Sequence, residues 1–115
     1  MTLDPAAMDR LLEITGGDAE FVDELIDTFI DDASAQLDVL RAAAAAGNGE
    51  ASVRPAHSLK SNSVNVGATV LADLSRTLET AGRAGPVADL AAQVSAIDAE
   101  FAGVRAALLA RRASG

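Results

Sequence analysis

The sequence predicts an all-α fold, an antiparallel up-and-down four-helix bundle with a short N-terminal cap helix. Apolar residues recur at spacings of three and four along most of the 115 positions, the stripe of helices packed on one side. Half of the residues are hydrophobic but only 3% are aromatic, and alanine is abundant; that composition suits closely packed helices better than sheets. Gly and Pro at 16–17, 47, 67 and 85–86 cut the pattern into segments. At this length the chain reads as a single domain, 1–115, with a core that needs no metal or disulfide.

The first predicted helix runs over 5–14, with Asp4 as N-cap and Pro5 at the first helical position. Met8, Leu11, Leu12 and Ile14 are its apolar residues, and Gly16-Gly17 ends it. A long second helix over 18–46 starts from Asp18 and stops at Gly47. Its stripe is Phe21, Val22, Leu25, Ile26, Phe29, Ile30, Ala33, Leu37 and Leu40. Six acids on the remaining surface (Asp23, Glu24, Asp27, Asp31, Asp32 and Asp38) lie along one convex helix, whereas a hard cation needs ligands converging from several directions. No metal site is expected.

The third helix is placed over 50–64, with Pro55 in or near its first turn and at most a mild bend. Continuing it to residue 84 would give a rod of about 50 Å, too long for this domain. A turn at Asn65-Val66-Gly67 removes the difficulty, since Asn and Gly tolerate left-handed backbone angles. The fourth helix then covers 68–82 and buries Leu71, Leu74, Leu78 and Ala81; residues 82–85 form a loop. Pro86 opens the last helix, 86–112, whose seam of Val87, Leu90, Val94, Ile97, Phe101, Val104 and Leu108 steps by three and four. A seam of this length inside a small helical chain packs intramolecularly, so a monomer is expected. Arg111 and Arg112 complement the C-terminal dipole, and residues 113–115 are expected to fray.

Composition also excludes functions. There is no cysteine, hence no disulfide or thiolate chemistry. No window approaches the roughly 18 apolar residues of a membrane span, and the N-terminus lacks the order of a signal peptide. A cytoplasmic protein is the simplest expectation. A net charge of −8 argues against nucleic acid as a partner. The charge is unevenly spread: residues 1–50 carry twelve acids against Arg10 and Arg41, while residues 51–115 carry seven Lys and Arg against five acids.

The single histidine, His57, lies in the less acidic half. On a helix it shares a face with Lys60, Ser61 and Val64, while Val53, Ala56, Leu59, Ser63 and Val66 fall towards the buried side. The ring is thus reachable by a large partner and has a cation one turn away.

Around His57 the chain resembles the histidine-containing phosphotransfer (HPt) domains of bacterial multistep phosphorelays. The likeness rests on Ala56, His57, Leu59, Lys60, Gly67, Ala68, Leu71, Leu78, Glu79, Gly82 and Arg83. It departs at Ser61, where the family usually has Gly; a hydroxymethyl group there would stand beside the ring. The resemblance implies that His57 accepts a phosphoryl group, at Nε2, and that Lys60 is its charge partner, with Ser61, Val64 and Gly67 as neighbours. It implies transfer between aspartates of response-regulator receiver domains, downstream of a hybrid sensor kinase. No cofactor of the chain's own is implied, since the receiver supplies Mg²⁺. It also places Leu11, Leu12 and Ile14 on the partner docking surface, although capping the core would equally explain them. The chain lacks the phosphate-cradling glycine loop of a kinase and the nucleophile, base and acid set of a hydrolase, so it reads as a carrier rather than an enzyme. The alternative is an HPt-like adaptor that binds a receiver or another signalling protein without carrying phosphate.

Overall fold

The computed structural model describes residues 3–112. Within them lie five α-helices and no strand: α1 Pro5–Ile14, α2 Ala19–Ala46, α3 Val53–Asn65, α4 Thr69–Ala84 and α5 Leu90–Arg111. A 3₁₀ turn, Glu50–Ser52, leads into α3. Helices α2 to α5 form a bundle and α1 packs against α2, giving an elongated molecule of 45 × 21 × 21 Å.

The helix ends are set by local chemistry. Asp4 accepts a hydrogen bond from the Ala6 N–H, and Asp18 accepts one from the Phe21 N–H at 3.0 Å. Each satisfies a donor that the first turn leaves unpaired. Gly47 closes α2 in the left-handed conformation, φ 63°. The α3–α4 turn falls at Val66-Gly67, with Ala68 N–H bonded to Ser63 C=O at 2.8 Å. The Gly67 carbonyl accepts the Asp4 N–H at 2.7 Å, so this turn also fastens the start of α1 to the bundle.

The core consists of the stripes that face inward. Leu40, Leu59, Leu71, Leu78, Ile97 and Leu108 are wholly buried, each contributing on the order of 1.5–3 kcal/mol of transfer free energy. Phe29 of α2 meets Phe101 of α5 with tilted rings 6.3 Å apart. Beside α1, Arg111 lies 3.7 Å from Asp9, and Arg112 pairs with Asp27 of α2 at 2.9 Å.

Several expectations require correction. The segment 50–64 is not one helix: its first three residues are 3₁₀, and α3 begins at Val53. Pro55 is then the third residue of α3, where its missing N–H leaves no bond unmade. Residues 82–84 belong to α4 rather than to a loop, because buried Gly82 lets another backbone approach closely. A Cβ at Gly82 would stand 2.8 Å from Val53 Cγ2 and 2.9 Å from the Gly49 carbonyl. Helix α5 starts at Leu90, not Pro86. Residues 86–89 instead carry Val87 back across Gly49, where it is half-buried against the core. Phe21 is exposed, because the inward stripe of α2 runs through Val22, Ile26, Phe29, Ala33, Leu37 and Leu40, one position off. Leu74 and Ala81 are only half-buried; Ser75 and Glu79 share the inward face of α4 with Leu71 and Leu78. Residues 113–115, expected to fray, lie outside the described residues.

Candidate functional site

The site is built on the α3–α4 pair, whose faces pack along most of their length. Ala56, Leu59 and Ser63 point inward, which turns His57 outward with 53% of its side chain exposed. Opposite it, α4 brings up Glu79, a buried carboxylate. Its Oε2 lies 3.0 Å from His57 Nδ1, and its Oε1 accepts from Lys60 Nζ at 2.9 Å. One turn further on, Arg83 donates to Oε2 from Nη2 at 2.9 Å and from Nε at 3.1 Å. One carboxylate thus holds the imidazole and two cations.

Those partners determine its charge. The Lys60 hydrogen bond, helped by those of Arg83 and His57, outweighs the cost of burial and lowers the Glu79 pKa from 4.5 to about 2. At neutral pH Glu79 is therefore ionised and can only accept hydrogen bonds. The proton of the neutral imidazole must then reside on Nδ1, which donates it, and the lone pair lies on Nε2. Nε2 makes no hydrogen bond within the protein among the described residues.

A consequence for stability follows from the sign of the shift. A carboxyl group with a lowered folded-state pKa stabilises the fold above its unfolded pKa, and that stability is lost as pH falls through the folded value. Thermal melts should change little through Glu79 above about pH 4.5 and lose its contribution between there and about pH 2. In Glu79→Gln that component should be missing from the melting profile, leaving only the descent due to the other acids.

The remaining predicted residues divide. Ser61 is exposed and lines a shallow hollow with Lys60, Val64, Asp73 and Arg76; the bond at Nδ1 goes to Glu79, not to Ser61. Val64 is 60% exposed. With Leu11, Ile14, Leu25 and Phe29 it lines an open, mainly apolar groove of about 680 Å³ between α1, α2 and α3. Arg10 and Asp32 are on the groove's edge, and Asp32 also accepts a 2.6 Å hydrogen bond from Asn62. Ile14, 80% exposed, does not cap the core; Ala7 and Met8 are the buried residues of α1. Leu12 is on a different side, with Met8, Ala19, Val22 and Arg111. Gly67 is buried beneath α1 in the α3–α4 turn, beyond the end of the helix that carries His57.

Glu79 and Arg83 are part of the family likeness, yet spacing along the sequence assigns neither a role. A signal was present. His57 and Lys60 share one helix face, Glu79 and Arg83 are four apart on the next helix, and a carboxylate among three nitrogen-bearing groups is where a polar contact would form.

Among the described residues no cluster of three His, Cys, Asp or Glu side chains is arranged to hold a metal ion. No helix among them is long and apolar enough to cross a membrane.

Bundle and site together define a class: an all-helical module that presents one oriented histidine on the outside of a helix pair. The Hpt domain family model matches residues 24–107, most of the chain. The crystal structure of histidine-containing phosphotransfer protein B (HptB) from Pseudomonas aeruginosa PAO1 superposes with a TM-score of 0.89. It is 32% identical over 99% of this chain and 96% of that one. No curated protein matches. The chain belongs to the Hpt domain family and is a histidine phosphotransfer protein of phosphorelay signalling. Proteins of this family work with receiver domains and kinases.

Proposed function

We propose that His57 is the phosphoryl acceptor and that it carries the group, on Nε2, from the aspartate of one receiver domain to that of another. The observation that carries this reading is the bond from Nδ1 to Glu79, which leaves an oriented lone pair on the exposed edge of the ring. Phosphoryl transfer depends on in-line placement and charge neutralisation more than on covalent chemistry from the protein. Lys60 and Arg83, both within reach of the same carboxylate, supply the positive charge beside the ring. A receiver would dock over the groove that contains Leu11, Ile14 and Val64, the last two turns along α3 from His57. It would bring the acidic pocket and Mg²⁺, and the chain acts as a carrier without kinase or hydrolase activity. A hybrid sensor kinase upstream and a cytoplasmic, monomeric carrier complete the proposal.

The test is transfer of labelled phosphate from a panel of phosphorylated receiver domains with Mg²⁺. At least one receiver should lose its label to the chain, giving a bond labile to acid and stable to base. Binding of receivers with no label transferred from any of them would contradict the carrier reading and favour an adaptor.

A further inference from the structure

We propose that Arg54 belongs to the phosphoryl site: its guanidinium binds the oxygens of the group carried on His57 Nε2, on the flank of α3 that faces away from α4. This inference rests on the reading of His57 as the phosphoryl acceptor and adds a residue to that site.

The cations stand unevenly around the ring. Lys60 and Arg83 both bind Glu79, the carboxylate that also holds Nδ1. These contacts all lie on the α4 side of the histidine. The two ring nitrogens direct their in-plane bonds to opposite sides of the imidazole, so Nε2, and any group attached to it, faces away from that cluster. Lys60 and Arg83 therefore offset charge from behind the ring, with donors already turned to Glu79.

Helix α3 carries a further cation, Arg54. At 3.6 residues per turn, Lys60 lies about 60° from His57 around the helix axis in one direction, and Arg54 about 60° in the other. The bond from Lys60 to Glu79 fixes its flank as the one facing α4, which puts Arg54 on the flank towards which Nε2 points. One turn of separation is the distance over which helical side chains meet. Arg54 is exposed and, among the described residues, makes no hydrogen bond or ion pair. Glu50 of the 3₁₀ turn shares a hollow with it without bonding it. Ser61 stands on the same flank as Arg54, about 40° from His57, but it is uncharged. Asp32 of α2 is engaged by Asn62.

The chemistry suits a guanidinium. Its planar fork of N–H donors matches phosphoryl oxygens two at a time, which an ammonium does not. In the transfer the Nε2 lone pair forms the N–P bond while the P–O bond to the receiver aspartate breaks, its electron pair leaving on the carboxylate. The three peripheral oxygens keep their charge throughout, and no proton passes to or from Arg54. Once the receiver departs, the groups it brought to those oxygens depart with it. Arg54 remains, so its main effect is to hold phosphate on the loaded carrier.

The experiment mixes the full chain with a phosphorylated receiver domain and measures how labelled phosphate is shared between them at equilibrium. That ratio, taken for the free proteins, does not depend on how tightly the two dock, so a role in docking alone leaves it unmoved. Arg54→Ala should shift it about fivefold towards the receiver, the size of a well-formed exposed ion pair. Arg54→Lys, which keeps a charge, should recover part of the shift. Should Arg54→Ala fail to fold, Arg54→Gln makes the same comparison. A wild-type ratio in the uncharged variant overturns the inference, and so does a lysine variant no better than alanine or glutamine. In both cases phosphate still reaches His57, so the carrier reading survives. Failure of every receiver to charge the wild-type chain overturns that reading and this inference with it.

Discussion

His57→Gln should abolish phosphoryl acceptance while leaving the protein folded and able to bind receivers. The side chain is half-exposed and outside the core, and exposed substitutions typically change stability by about 0.5 kcal/mol or less. The melting temperature should therefore stay within about 4 °C of wild type. Gln retains an N–H that can reach Glu79, so the carboxylate keeps a donor in place of Nδ1. What disappears is the nucleophilic nitrogen, for which the amide has no substitute. On the proposed docking mode receiver affinity would come from the groove around Leu11, Ile14 and Val64, which the substitution leaves untouched. Labelled phosphate on the variant at the wild-type level would show that His57 is not the acceptor.

Gly67→Ala should be among the most damaging single substitutions outside the hydrophobic core. Gly67 has φ +75°, and an added Cβ would collide with the Cβ of Ala7 and lie 3.1 Å from the Asp4 carbonyl. A left-handed non-glycine residue costs about 1–2 kcal/mol, and overpacking adds about 1–3 kcal/mol. Together they amount to a loss of about 2–5 kcal/mol and a fall in melting temperature of roughly 10 °C or more. Because the Gly67 carbonyl holds the Asp4 N–H, the strain should also shift α1 and weaken receiver binding through Leu11 and Ile14. Gly16→Ala is the matched control. Gly16 has nearly the same angle, φ +72°, but nothing within 4 Å of an added Cβ, so it should show the backbone cost alone. Equal melting temperatures for the two variants would contradict the packing of α1 on the α3–α4 turn.

Much of this architecture is legible in the sequence because its helices are bounded by residues whose effect is local. Asp4, Asp18 and Gly47 cap where their chemistry requires, and the turn before Ala68 follows from helix length and Gly67. Misreadings occurred where tertiary packing overrode a local signal. Gly82 reads as a helix stop, yet it extends α4 because its missing Cβ admits Gly49 and Val53. Pro86 reads as a helix start, yet residues 86–89 remain outside α5 while Val87 packs across Gly49. The site follows the same division. His57 and Lys60 stand on one helix and could be paired by spacing alone. Their link through Glu79 joins residues 22 and 19 positions apart, and only the α3–α4 packing brings them together. Leu11, Leu12 and Ile14 look like one patch in the sequence, but α1 points Leu12 to a different side from the other two.

The most direct test of the central claim is to locate the transferred phosphate. The chain, charged from a receiver with labelled phosphate, is digested under alkaline conditions that preserve phosphohistidine, and the labelled peptide is sequenced by mass spectrometry. The account predicts label on the peptide containing His57, on the imidazole itself. Label on a neighbouring hydroxyl, Ser58, Ser61 or Ser63, or on any other residue, would contradict it.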